Sequence, residues 1–155
     1  RDGLTPRLLV VGSGPDETLL RQMTVDQGIA AQCAFEPPGP IRTALAKAHV
    51  MVIPSRAESL PYVILEAAAA AQPLIATDVG GIKEIYGPGH AGRLIPPNEP
   101  TILADTMRAT LATPPATRLA QAADLAAHVK ANFRLDAMVD GVLDAYRVAL
   151  AKRSR

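Results

Sequence analysis

The sequence holds no tryptophan and five other aromatic residues in 155: Tyr62, Tyr86, Tyr146, Phe35 and Phe133. Carbohydrate-binding modules and grooves for single-stranded nucleic acid rest on aromatic platforms, and such a platform cannot be assembled from so few rings. Cysteine is nearly absent as well. The single Cys33 excludes an internal disulfide and a cysteine-based metal site, and its apolar neighbours predict a small buried thiol. Neither sign of charge is in excess: sixteen basic and fifteen acidic residues leave a net charge of +1. That balance points away from nucleic acid, and the basic run Lys152-Arg153-Ser154-Arg155 reads as a solvated helix end. Long apolar runs are missing too, so no transmembrane segment is expected. His49, His90 and His128 are scattered and predict no metal site, with His90 expected on an exposed loop.

What remains is the composition of one globular domain, 48% hydrophobic and 20% charged. The chain opens at Arg1, a few residues before its first apolar run and without an initiator methionine, and reads as part of something longer. A reduced, cytoplasmic setting is the expectation.

Short apolar runs alternate with helical periodicity along the chain. Arg7 to Val11 predicts a strand leaving into Gly12-Ser13-Gly14-Pro15; a helix from Asp16 to Gln27 stops at Gly28. Ala31 to Phe35 predicts a second strand, ended by Pro37-Pro38-Gly39-Pro40, which no helix or central strand crosses. A brief helix over 41–48, a strand over 49–53, a helix over 60–71 and a strand over 74–76 follow, then a short helix through Tyr86 and a fifth strand, Arg93-Leu94-Ile95. Asn98 is placed to cap a helix reaching Ala112; further helices span 116–132 and 135–152, the last with an apolar stripe of Met138, Val142, Leu143, Tyr146 and Leu150. The expected fold class is α/β: a Rossmann-like three-layer sandwich, a mostly parallel sheet with helices on both faces and further helices at the C-terminal end. Ligands of such sheets bind beyond the carboxyl ends of the strands, which selects the loops 12–15, 36–40, 54–59 and 77–81.

The turn Gly12-Ser13-Gly14-Pro15 leads from a strand into a helix, as a phosphate-binding turn does. The third glycine of the dinucleotide fingerprint would fall at position 17, which is Glu17, and no acidic residue is expected in the right context at the end of the second strand. A plain tight turn and a ligand-facing turn both remain open from these residues. The segment Pro54 to Ala67 carries more. Ser59 is placed as N-cap of the following helix and Pro61 in its first turn, so the free amides there, backed by the helix dipole, form a site for a diphosphate. Glu58 stands just before the cap. Glu66, two turns into an apolar helix, either reaches back toward the same ligand or looks out at solvent.

Glu58, seven residues and then Glu66 resemble the Glu-x7-Glu motif of retaining glycosyltransferases with the two-domain GT-B fold, group 1 or family 4. The neighbouring landmarks match in order: Val10 to Pro15, Val52 to Ser55, Pro73 to Ile85, and Gly92 to Pro97. The resemblance covers Leu8 to Tyr146 and implies one half of a GT-B fold, a donor-binding domain over residues 1–155 whose N-terminal acceptor domain, first strand and first helix are not included. It implies that Glu58 is the catalytic carboxylate that contacts the transferred sugar and the phosphate region. The amides of Ser59 and Leu60, beside Pro61, would hold the diphosphate; Glu66 would bind the ribose hydroxyls; Gly12, Gly14, Pro37, Pro38 and Gly39 would line the nucleotide. Gly80 and Gly81 are expected to shape a turn rather than touch the donor.

The implied activity is hexosyl transfer from a nucleoside-diphosphate sugar of UDP or GDP type, with no cofactor, no metal and retention of configuration. The acceptor, a glycan, lipid or small molecule, would bind the other half of the enzyme, which leaves room for peripheral membrane contact by the full protein. The chain by itself is expected to bind nucleotide weakly and to transfer nothing, because the family's Arg and Lys that neutralise the diphosphate have no counterpart here; Arg56 and Lys83 do not occupy those positions and are expected to be solvated. The competing readings are an epimerase or phosphorylase domain of the same fold, a non-catalytic dinucleotide-binding module, and a domain kept only for assembly.

Overall fold

The computed structural model describes residues 5–153, which divide into two compact units on either side of Ala48. In the first, strand β1 (Leu8–Val11) pairs in parallel with β2 (Cys33–Glu36), and helices α1 (Glu17–Asp26) and α2 (Ile41–Leu45) follow the two strands. Gly28 adopts φ 67° and turns the chain out of α1, as its place in the sequence predicts. Residues 30–32 form a 3-10 turn instead of the start of a strand. Two four-residue strands and one ten-residue helix enclose too little volume for a core. No described residue of this unit is fully buried, and Cys33 is half-buried rather than the buried thiol expected.

The second unit carries the core. Strand β3 (Met51–Ile53) pairs in parallel with β4 (Leu74–Ala76), and between them runs helix α3 (Tyr62–Ala69). Helices α4 (Ile82–His90), α5 (Pro100–Ala112), α6 (Pro115–Asn132) and α7 (Leu135–Arg153) follow. Ile53, Ile64, Ala68, Ala76, Ile82, Ile85, Tyr86, Leu125 and Val129 form one buried cluster, drawn from β3, β4, α3, α4 and α6. The alanines of α3 let it lie close: Ala67 and Ala68 are fully buried while Ala69 faces out.

Several boundaries differ from expectation for local reasons. The fifth strand shrinks to one parallel bridge between Thr77 and Ile95, where Ile95 N–H donates to the Ala76 carbonyl at 3.0 Å and Asp78 N–H to the Ile95 carbonyl at 2.7 Å. Residues 91–93 form a 3-10 turn, and Pro96-Pro97 have no N–H with which to extend a ladder. Asn98 is not a cap: it sits at φ 61°, Glu99 takes the capping position without a side-chain bond, and Pro100 opens α5. Helix α4 runs to Tyr86, breaks at Gly87 (φ 64°, ψ 173°) and resumes to His90. The apolar stripe of α7 forms as predicted, yet Met138, Val142, Leu143, Tyr146 and Leu150 are all exposed. Lys152 is exposed too, and Ser154-Arg155 lie outside the described residues.

Candidate functional site

The parallel registers gather the predicted loops at the strand ends. In the first unit Val11 pairs with Glu36, so Gly12 and Pro37 leave their strands side by side, with Gly12 N–H donating to the Glu36 carbonyl at 3.0 Å. Gly12, at φ 146°, and Gly14 have nothing within 4 Å of where a side chain would project, so both present bare backbone. A cavity of about 240 Å³ opens there, walled by Val10, Gly12, Ser13, Gly14, Pro15 and Phe35. Pro37, Pro38 and Gly39 are exposed beside Gly12. Glu17 is turned toward Arg21, at 2.8 Å, and the Arg21 guanidinium lies 4.5 Å from the centre of the Phe35 ring. Glu36 closes β2 where a dinucleotide fold places its ribose-binding acid, contrary to expectation. Its carboxylate is held by Lys47 at 2.8 Å through both oxygens, and position 17 remains a glutamate.

In the second unit Ile53 pairs with Ala76, so Pro54 and Thr77 leave their strands together. The loop 54–61 is then fixed from several directions. Ser55 Oγ donates to Glu58 Oε1 at 2.7 Å, and Thr77 Oγ1 donates to the Ser55 carbonyl at 2.6 Å. Gly81 N–H donates to the Ser59 carbonyl at 2.8 Å. The two glycines are required by proximity. A β-carbon on Gly80 would lie 1.7 Å from the Glu58 carbonyl oxygen, and one on Gly81 would lie 2.0 Å from that of Ser59. Gly80 also adopts φ 47°. The expectation that this pair shapes a turn holds, and the turn is the backing of the Glu58 loop.

That backing orients the amides. The chain has no cis peptide among the described residues, and in a trans peptide the N–H points opposite the C=O. The carbonyls of Glu58 and Ser59 face Gly80 and Gly81, so the N–H groups of Ser59 and Leu60 are turned to the other side. Among the described residues neither donates to a protein acceptor. Ser59 and Leu60 are exposed.

The helix itself begins later than predicted. Pro61 is extended (φ −75°, ψ 107°) and occupies the capping position; it lies before the first turn and no side chain caps α3. Ser59 is therefore not the cap, because Pro61 holds Leu60 out of the helical region. Glu58 is half-buried, whereas Glu66, one turn into α3, is exposed. Arg56 is exposed, and Lys83 is exposed and pairs with Asp78 at 3.1 Å, as expected of solvated groups. A second cavity, about 390 Å³, opens at the same strand ends beside Pro54, Arg56, Thr77, Ile95, Asn98 and Leu103.

His90 is not on an exposed loop. Its side chain is 11% exposed, with Nδ1 3.0 Å from the Tyr86 carbonyl oxygen and Nε2 3.0 Å from Asp124 Oδ2, which Arg93 also contacts at 2.6 Å. The Arg93 and His90 hydrogen bonds hold the Asp124 carboxyl below its ordinary value. The helix break just before His90 requires glycine at 87, where the chain takes φ 64° and a β-carbon would meet His128 Cε1 at 2.6 Å. Burial pushes the Tyr86 hydroxyl up to about 12, partly offset by Arg93.

Comparison with known proteins agrees with this organisation. The family model described as glycosyl transferases group 1 matches residues 2–113. The chain belongs to the group 1 glycosyl transferases. Among curated relatives, the D-inositol 3-phosphate glycosyltransferase of Rhodococcus erythropolis is 35% identical over 156 residues, covering 95% of this chain and 35% of that protein. The protein of the same name from Acidothermus cellulolyticus is 34% identical, over 96% of this chain and 34% of its own length. The chain thus spans about a third of the curated relatives it matches. Among solved structures, sucrose-phosphate synthase from Thermosynechococcus elongatus is similar with TM-score 0.81 and 26% identity, over 94% of this chain and 39% of that one. That likeness bears out the expected fold class, an α/β half of a GT-B architecture.

Three features of this group 1 chain escaped sequence reasoning. Ser55 and Thr77 were not singled out, although a hydroxyl three residues before a carboxylate and a threonine ending a buried strand are both visible in the sequence. The Gly80-Gly81 contact with residues 58–59 is long-range, and only a known pairing of β3 with β4 reveals it.

Proposed function

We propose that this chain is the donor-binding half of a hexosyltransferase and holds a nucleoside-diphosphate sugar of UDP or GDP type. The observation that carries the proposal is the pair of unpaired amides at Ser59 and Leu60, turned to one side by the Gly80-Gly81 backing and adjoining the start of α3. Two free N–H groups beside a helix N-terminus favour a diphosphate and stabilise the charge that grows on it as the sugar leaves. Glu58, directly before them, contacts the transferred sugar. The exposed Glu66 is free to accept hydrogen bonds from both ribose hydroxyls. Within the first unit, Gly12, Gly14 and Pro37 to Gly39 present bare backbone and a short loop of the kind that lines a nucleotide. Leaving-group stabilisation by amides and a helix end requires no metal, and retention of configuration follows the family.

Calorimetric titration with UDP, GDP, ADP and NAD, repeated on Glu66→Ala, tests this. One nucleoside diphosphate is expected to bind, more weakly by roughly 1–3 kcal/mol once the Glu66 hydrogen bonds are gone. A preference for NAD, which Glu36 at the end of β2 would serve, contradicts the proposal. So does transferase activity from these 155 residues alone, which are expected to bind nucleotide and transfer nothing.

A further inference from the structure

Glu58 is useful to a sugar only if its carboxylate is held in one orientation with an oxygen to spare. The Ser55 hydroxyl donates to Oε1 at 2.7 Å, and among the described residues Oε2 has no protein partner. Ser55 is itself anchored: its carbonyl accepts from Thr77 Oγ1 at 2.6 Å, and Thr77 is 3% exposed at the end of β4, its amide donating to the Ile53 carbonyl at 3.3 Å. The main chain of Glu58 is fixed independently, since its carbonyl rests where a Gly80 side chain would be. Backbone and one carboxylate oxygen are thus tied to the strand ends by separate contacts.

We infer that Ser55, braced by Thr77, is a positioning residue that fixes the Glu58 carboxylate and leaves Oε2 for a hydroxyl of the transferred sugar. The inference rests on the donor-binding reading above and adds a specific division of labour. Ser55 acts on the sugar part of the donor through Glu58. The nucleotide part is held by the amides of Ser59 and Leu60 and by Glu66, which Ser55 does not touch. A freely rotating Glu58 must be ordered when the sugar binds; a preset one has already lost that freedom.

The two parts separate in a comparison of UDP with UDP-glucose, and of GDP with GDP-mannose, titrated into the chain. The quantity read is the ratio of sugar-nucleotide affinity to diphosphate affinity. Ser55→Ala is expected to lower that ratio roughly three- to tenfold, the range of one hydrogen bond, and to leave diphosphate binding unchanged. Ser55→Thr, which keeps the hydroxyl, restores it. Thr77→Val lowers it in the same direction. In a Glu58→Ala background Ser55→Ala has no further effect. Unfolding midpoints measured alongside separate a loss of fold from a loss of positioning. An unchanged ratio in Ser55→Ala, with a collapsed ratio in Glu58→Ala, overturns the role of Ser55 while sparing the donor reading. A wild-type chain that does not distinguish sugar nucleotide from diphosphate, or that binds neither, overturns both.

Discussion

Replacing Gly81 by alanine isolates what the glycine turn does for the amides in front of it. Gly81 adopts φ −71° and ψ −3°, a conformation any residue accepts, so no backbone strain enters. The added methyl would lie 2.0 Å from the Ser59 carbonyl oxygen, 3.1 Å from its carbon and 3.2 Å from Leu60 Cδ1. An ordinary contact is about 3.5 Å, so the Ser59–Leu60 peptide must withdraw by about 1.5 Å, which breaks the 2.8 Å bond from Gly81 N–H. Overpacking costs about 1–3 kcal/mol and the lost bond about 1 kcal/mol, so a destabilisation of roughly 2–4 kcal/mol is expected in denaturant unfolding. The Ser59 and Leu60 amides move with the peptide. Diphosphate affinity should fall roughly tenfold, the worth of one charge-assisted hydrogen bond. Gly92→Ala is the control: nothing lies within 4 Å of the new methyl, and its effect should stay within about 0.5 kcal/mol. Equal stability and equal diphosphate binding in the two variants would refute the claim that the turn backs the loop.

The other expectations concern the core and its polar edge. Tyr86 has its hydroxyl pushed from 10.0 to about 12, so the folded state keeps its proton where the unfolded state loses it. Stability from this group is whole below pH 10 and is lost between about pH 10 and 12, a difference of roughly 2–3 kcal/mol. Tyr86→Phe should flatten that alkaline loss in pH-dependent unfolding, and since the buried hydroxyl has no partner among the described residues it should not destabilise at neutral pH; an unchanged alkaline limb would argue against the assignment. Ile64, fully buried between α3 and its neighbours, should cost about 2–5 kcal/mol when cut to alanine, read by the same unfolding curve. The Asp124 carboxyl is held low by Arg93 and His90, so its contribution is present above its unfolded value and fades as pH falls. Asp124→Asn should therefore narrow the stability gap to the wild type progressively below about pH 4, and a gap independent of pH there would count against it.

Much of this architecture was legible because proline and glycine punctuate it. Gly28 ends α1, Pro73 precedes β4, and Pro96-Pro97 and Pro114 bound the segments around α5. The same residues explain the errors. Pro61 lies before α3 and not in its first turn, and both there and at Pro100, which opens α5, the proline forces the preceding residue out of the helical region and displaces the expected caps Ser59 and Asn98. Ile95 had the composition of a strand, but the prolines after it left one bridge. Where the outcome depended on contacts between distant segments, local patterns were silent. His90 meets Asp124 across 34 residues of chain, and Glu58 is aligned by Ser55 and Thr77 only because β3 pairs with β4.

The most direct test of the donor-binding account is an amide NMR titration of the chain with UDP and with GDP. The account predicts that one of them moves the Ser59 and Leu60 resonances in a saturable way, and that the Glu66→Ala chain needs more ligand to reach the same shifts. Saturable binding that leaves Ser59 and Leu60 unmoved would contradict it.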